Sequence, residues 1–342
     1  MNMPKKYTNK YIINTGSGLQ DVDGISNSPY FINQSQRYIK GEISLDELDK
    51  IINSYYKTKP KTENRNDEAD KVSIRIAQLI SDDSFTFTVG QLLTIHKYLF
   101  NGIIKNSGKL RMYNFTKSEW ILYGASVTYG DYKSLKDTLQ YDLELEKEYD
   151  YKDLSIDETI EHLAIFISNL WQIHVFEEGN TRTTAVFVIK YLRSLGFDVT
   201  NDTFAKNSWY FRNALVRANY TNLSRGVTED RSYLILFLRN LLLNEKNELK
   251  NKNLHIKLIK SKKEEKNETK IINLIINNSK ITTEEISKKL GVSIRTVKSI
   301  LSKLKKENKI SRENGKRYGN WKVKFKKKNN ENKFYTRKHN VK

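Results

Sequence analysis

The chain has 342 residues, no cysteine and a formal net charge of +20 at pH 7. That length allows two or three domains, and the lack of cysteine excludes disulfides, thiolate metal sites and cysteine nucleophiles. No stretch approaches the roughly 20 apolar residues that span a bilayer, and MNMPKKYTNKYIINTGSG lacks a signal's apolar run, so a cytoplasmic protein with no membrane partner is expected.

Residues 28–56 predict two helices, one started by Ser28-Pro29 and one capped by Ser44, with Leu45, Leu48 and Ile51-Ile52 on one face. The polar segment from Thr58 to Glu68, with Pro60, reads as a linker. Asp70 through Phe100 is helical with a break near Asp82-Asp83. His96 and His162 fall on helices and read as surface or core-edge residues. EWILYGASVTYG, residues 119–130, sets β-formers on both sides of Gly124 and predicts a hairpin. Helical periodicity returns over Ser134–Glu148 and Asp157–Ile173, the latter with Ser155 and Glu158 as a capping box.

The stretch IHVFEEGNTRTTAVF, residues 173–187, concentrates chemistry. Gly179 and Asn180 tolerate positive φ and suit a tight turn between helices. Backbone N–H groups of such a turn, at the start of helix 183–195, form an anion cradle. Arg182 adds a cation. Glu178 is placed to share Mg²⁺ with a phosphate, and His174 can face the same pocket as a base. These parts point to nucleotide phosphate chemistry. A polar inter-helix loop with an incidental histidine is the plainer alternative. Helices follow at Ser208–Tyr220 and Tyr233–Leu243, then a charged linker over 246–268.

The basic character is confined to the end of the chain. Residues 251–342 hold 28 Lys+Arg against 8 Asp+Glu, the whole of the surplus, which points to a polyanion partner. Within 269–326, ITTEEISKKLGVSIRTVKSILSKLKKENKI gives two helices around Gly291-Val292-Ser293, and RENGKRYGNWKV gives a hairpin turning at Asn314-Gly315. This plan resembles a winged helix-turn-helix. The resemblance places Arg295, Thr296, Lys298 and Ser299 towards a DNA major groove, with Lys316 and Arg317 on the wing. A helix-turn-helix serving protein contacts is the alternative. Residues 327–342 read as a basic tail.

The motif at 174–182 also resembles the signature of the Fic family, H-x-F-x-[DE]-G-N-x-R-x-x-R, carried here by His174, Phe176, Glu178, Gly179, Asn180 and Arg182. GKLRMYNFTKSEWILYGASVTYGDY and KYLRSLGFDVTNDTFAKNSWYFRNALVRANY extend the likeness over roughly 85–245. The resemblance implies a mainly α fold, a Fic-type helical bundle with a β-hairpin flap, occupying 70–245. It implies transfer of AMP from ATP to a Tyr, Thr or Ser hydroxyl of a target protein. His174 would be the base and Phe176 would be buried beneath the loop. Glu178 would hold Mg²⁺; Gly179, Asn180 and Thr181 would cradle phosphates; Arg182 would stabilise the leaving diphosphate. Val127, Thr128 and Tyr129 would dock the target segment by strand addition.

Two positions depart from the pattern: Val175 stands where proline is frequent, and Ala185 replaces the second arginine, which in relatives holds the γ-phosphate and meets an inhibitory glutamate. Residues 1–57 resemble the antitoxin-like module of some Fic toxins, with Asp23 at or near that glutamate's place. Without an arginine at 185, Asp23 is expected to lack its partner, so the segment is expected to dock without blocking in the usual way. A DNA-binding regulator that only senses nucleotide is the second reading. The sequence leaves the target, the operator and homo-oligomer formation open.

Overall fold

Side-chain caps set most helix starts. A computed structural model describes residues 7–58, 65–256, 267–313 and 319–324, and the chain forms two units, 1–258 and 259–342. The first unit opens with α1 (Asn9–Gly18) and a 3-10 turn (Leu19–Asp23), neither anticipated. Then come α2 (Pro29–Ile39) and α3 (Leu45–Lys57), capped as expected by Ser28 and by a Ser44/Glu47 capping box. The helix α4 (Asn66–Ser81) begins within the expected linker. It is followed by α5 (Val89–Phe100), α6 (Leu135–Glu148) and α7 (Ile156–Ile173), the last opened by the Ser155/Glu158 box. The unit ends with α8 (Asn180–Ser194), α9 (Thr203–Ala218) and α10 (Ser232–Leu243).

The axis of this bundle is α8, buried without interruption from Asn180 to Leu192. Helices α4, α5 and α7 surround it. Such all-round burial explains why its apolar residues lack a narrow stripe in the sequence. The N-terminal segment is built into the same core, with Leu19, Phe31, Leu48 and Ile52 all buried. Its anchor is Asp70 of α4, a fully buried carboxylate. It accepts from the Ser28 backbone N–H (2.9 Å), the Ser28 hydroxyl (2.6 Å), the Tyr56 hydroxyl (2.7 Å) and the Asn27 amide (3.1 Å).

The flap is not the hairpin that the sequence predicts. Residues 120–122 form a 3-10 turn, Tyr123 is left-handed (φ 53°), and the loop is closed at Glu119, whose N–H donates to the Ala125 carbonyl (3.0 Å) and whose carbonyl accepts from the Gly124 N–H (3.0 Å). Strand alternation would bury only one of Ile121 and Leu122, whereas the turn buries both. Residues 246–256 pack on the first unit. Leu254 and Ile256 are buried, and the Ile256 N–H donates to the Ile121 carbonyl at 3.0 Å.

The second unit contains α11 (Asn267–Asn277), α12 (Thr283–Leu290) and α13 (Ile294–Lys306). Strands β1 (Ile310–Glu313) and β2 (Asn320–Val323) pair antiparallel with Glu313 opposite Asn320. Its core gathers Ile271, Ile286, Val297, Leu304 and Trp321. The turn at Asn314-Gly315, Lys316, Arg317 and the 327–342 tail lie outside the described residues. The mainly helical class stands: among the described residues α-helices dominate, and β1 and β2 are the strands. No described helix is long and apolar enough to cross a membrane.

Two glycines let α1 approach its neighbours. A Cβ on Gly16 would lie 2.2 Å from the Ser73 carbonyl oxygen, and one on Gly18 would lie 2.1 Å from that of Ala205. Both obstacles are backbone, which cannot swing aside. Gly16→Ala is therefore expected to destabilise the protein by about 1–3 kcal/mol, the usual cost of overpacking, read as a lower urea midpoint. An unchanged midpoint would mean that α1 is not docked this way.

Candidate active site

The motif loop is closed by its own side chains. The Phe176 N–H donates to Asn180 Oδ1 (2.9 Å), and Asn180 Nδ2 donates back to the Phe176 carbonyl (2.7 Å). Trp171 Nε1 donates to the Thr181 hydroxyl at 3.0 Å. Asn180 and Thr181 thus spend their side chains on structure and have backbone N–H groups to offer in the first turn of α8, where helical bonding leaves them without partners. Gly179 sits at φ 74°, and a Cβ there would lie 2.4 Å from the Phe100 ring. Only glycine meets both demands.

His174 caps α7 in the left-handed region (φ 53°, ψ 57°). It is 3% exposed, with neither ring nitrogen hydrogen-bonded. Tyr129 of the flap stacks on it at 4.1 Å, and Phe115 and Trp171 approach edgewise. This burial, with the Lys117 charge second, holds its pKa well below the ordinary histidine value. The ring is neutral at pH 7, as a base requires, but less basic than an ordinary histidine while covered. Its backbone is fixed by Arg111, a buried guanidinium whose Nε donates to the His174 carbonyl at 2.7 Å. The same group donates to the carbonyls of Tyr113 (2.6 Å), Ile173 (3.4 Å) and Gly130.

Of the flap residues singled out for target docking, Thr128 is exposed, Val127 is buried in the core, and Tyr129 covers His174. The Thr128 carbonyl accepts from Gln172 Nε2 at 3.0 Å. Part of the backbone edge that strand addition needs is therefore occupied. Tyr129 is oriented through its hydroxyl, 3.3 Å from Glu119. Glu119 is itself buried against both terminal nitrogens of Arg212 (2.7 and 3.1 Å). Burial, then the Glu119 charge, raises the Tyr129 pKa and keeps it protonated.

Arg182 is wholly buried. Its Nε lies 2.8 Å from Asp23 Oδ2, one terminal nitrogen 2.7 Å from Glu68 Oε1, and the other donates to Gln20 Oε1 at 2.9 Å. The Phe100 ring covers its face at 4.7 Å. Asp23 is thus not left without a partner by Ala185, as the sequence suggested. It meets the first arginine of the motif, while Ala185 is packed in the core. Gln20 and Glu68 escaped the sequence reading. For Glu68 a signal existed: an acid four residues before Val72 and eight before Ile76 stands on the apolar stripe of α4.

Glu178 is the motif's outward acid, 53% exposed, with Lys117 Nζ 3.9 Å away. Its backbone carbonyl accepts from His96 Nε2 (3.0 Å), while His96 Nδ1 accepts from the Gly108 N–H (2.7 Å). His96 is therefore no edge residue. It is buried against Phe176 at 3.7 Å, and the two bonds fix its neutral tautomer. Phe176 is buried as expected. His162 pairs with Glu146 at 2.7 Å, away from the motif.

The first turn of α8, the glycine and the exposed Glu178 fit a polyphosphate with a divalent ion. Arg182 does not, while Asp23 and Glu68 hold it. Among the described residues, no group of three or more His, Asp or Glu forms a metal cluster. In the second unit Arg295, Thr296, Lys298 and Ser299 are all exposed on α13, while Val297, Leu301 and Leu304 of the same helix are buried.

The Fic/DOC family model matches residues 86–192, and that of the winged helix-turn-helix DNA-binding family matches 264–311. A crystal structure of a Fic family protein from Desulfovibrio desulfuricans G20 aligns at 12% identity over 95% of this chain and 99% of its own, with a TM-score of 0.38. No curated protein matches the chain.

Burial pushes the His96 pKa down to about 4. A histidine with a depressed folded pKa contributes stability that is complete above the unfolded value of about 6.5 and is lost as pH falls through the folded value. His96 is thus expected to cost the fold about 3 kcal/mol between pH 7 and pH 4. NMR titration of the imidazole resonances is expected to place the His96 midpoint near 4 and that of His174 below 6.5. A His96 midpoint above 6 would contradict its buried, doubly bonded state.

Proposed function

The chain carries a Fic/DOC family domain over residues 86–192 and a winged helix-turn-helix over 264–311, and from that premise we propose that it moves AMP from ATP to a Tyr, Thr or Ser hydroxyl of a target protein. The observation carrying this reading is the order of groups where α7 ends and α8 begins: a neutral His174, an exposed Glu178, then the unpartnered N–H groups of the first turn. His174 takes the hydroxyl proton. The hydroxyl oxygen bonds to the α-phosphorus as the bond to the β-phosphate oxygen breaks, and diphosphate leaves. Backbone N–H groups at 180–182 hold the phosphates, and Glu178 would hold a divalent ion, which would supply positive charge beside them when bound. Arg182, once free of Asp23, stabilises the diphosphate.

In this reading residues 1–57 keep the domain quiet through Asp23, and Tyr129 must leave His174 before a target hydroxyl can enter. The same two features favour the second reading, a DNA-binding regulator whose Fic domain senses nucleotide with little turnover. ATP labelled at the α- or the γ-phosphate separates them. Label on protein from α alone, lost in His174→Ala, supports AMP transfer; label from γ alone means a kinase, and none means a sensor. Asp23→Ala is expected to raise α-label incorporation about tenfold, the effect of some 1.4 kcal/mol on the barrier. Incorporation at or below wild type would exclude Asp23 as a brake.

The second unit binds DNA, in this reading, mainly through phosphates, with Arg295, Thr296, Lys298 and Ser299 on the groove-facing side of α13. Arg295→Ala and Lys298→Ala are each expected to weaken duplex binding and to reduce the slope of log K against log salt by about 1 if their contacts are to phosphate. Duplex binding that both substitutions leave intact would point to a helix-turn-helix serving protein contacts.

A further inference from the structure

The cations around the motif are nearly all engaged. Arg182 is held by Asp23, Glu68 and Gln20. Arg65 grips Glu68 through two bonds of 2.9 and 2.8 Å. Arg111 donates to backbone carbonyls, and Arg212 holds both oxygens of Glu119. Lys117 differs. Its Nζ stands 3.9 Å from Glu178 Oε2, beyond hydrogen-bond length, and its side chain is 29% exposed. Its other contact is a position 5.7 Å over the Phe115 ring.

We infer that Lys117 binds the terminal phosphates of the nucleotide in this site, an assignment that rests on the nucleotide-binding reading above. Three observations meet at this lysine. Its backbone is placed by a bond from its N–H to the Ser126 hydroxyl at 3.1 Å, so the ammonium is tethered beside the motif. Its nearby acid is Glu178, the carboxylate open to a divalent ion, and a metal taking that carboxylate leaves the ammonium in need of another anion. The Phe115 ring has the His174 ring at 5.6 Å and the Lys117 ammonium at 5.7 Å, so the lysine stands near a buried imidazole whose two nitrogens have no hydrogen-bond partner. Ala185 brings no charge, and a flexible ammonium suits phosphate as a point charge. The ligand class is a nucleoside di- or triphosphate with its divalent ion.

The test is calorimetric titration of the full chain, wild type and Asp23→Ala, with Mg²⁺ and α,β-methylene-ATP, which resists cleavage between its α and β phosphates. AMP is titrated in parallel. Lys117→Gln is expected to weaken the triphosphate analogue about tenfold, the scale of one charge-assisted contact, and to leave AMP affinity and the melting temperature unchanged. Lys117→Arg should restore most of the loss. If Lys117→Gln binds the analogue as tightly as its parent, the assignment fails while the nucleotide site stands. Equal weakening of analogue and AMP places the lysine elsewhere on the ligand and also overturns it. If neither parent binds any nucleotide, the reading of the site falls and the assignment with it.

Discussion

A guanidinium sealed from water must be neutralised where it lies, and Arg182 imposes that condition on the first unit. Its partners come from separate places: Gln20 and Asp23 from the N-terminal turn, Glu68 from α4, Phe100 from α5. Arg65 shares Glu68, so the cluster holds two cations and two carboxylates and is neutral. Withdrawing Asp23 would leave one positive charge in excess beside the first turn of α8, and a phosphate could restore the balance.

A second guanidinium sets the geometry of His174. His174 occupies a left-handed conformation that costs on the order of 1 kcal/mol or more in a non-glycine residue. It is held there by a backbone bond from its N–H to Trp171 and by Arg111 on its carbonyl. Because Arg111 also binds the carbonyls of Tyr113 and Gly130, the orientation of His174 and the two ends of the flap segment share one side chain. Motion of the flap that uncovers His174 must therefore occur between these points, in the region of Glu119, Tyr123 and Tyr129. Uncovering would rehydrate the imidazole and return its proton affinity towards the ordinary value.

Local signals in the chain disclosed most of the helices and the identity of the motif, because caps, apolar period and a dense constellation of polar types are all encoded within a few residues. Ser28, Ser44 and Ser155 act as such signals imply. The flap was misread because β-forming composition around a glycine does not reveal that Ile121 and Leu122 are both needed in the core. The partner of Asp23 was misread for a different reason. Family pattern pointed to position 185, and only the packing of the N-terminal turn against α4 and α8 decides that Arg182 lies within reach. Arg111 and Lys117 carry no distinguishing local pattern; their roles arise from loops that meet only in three dimensions.

Freeing Arg182 does not require the N-terminal segment to leave. Undocking would expose Leu19, Phe31, Leu48 and Ile52, all buried, each worth about 1.5–3 kcal/mol, and would also strand Asp70. Their sum exceeds the roughly 3–5 kcal/mol that breaking a buried ion pair costs, before counting the close seating of Gly16 and Gly18. A local opening is therefore the cheaper route. The 3-10 turn that carries Gln20 and Asp23 ends at Gly24, left-handed at φ 67° with nothing within 4 Å of its missing Cβ. Leu19 and Val22 keep that turn seated in the core, while Asp23 at its end is partly exposed, so the opening is confined to Asp23 and Gly24, and an anion arriving at α8 would displace one carboxylate and not a domain.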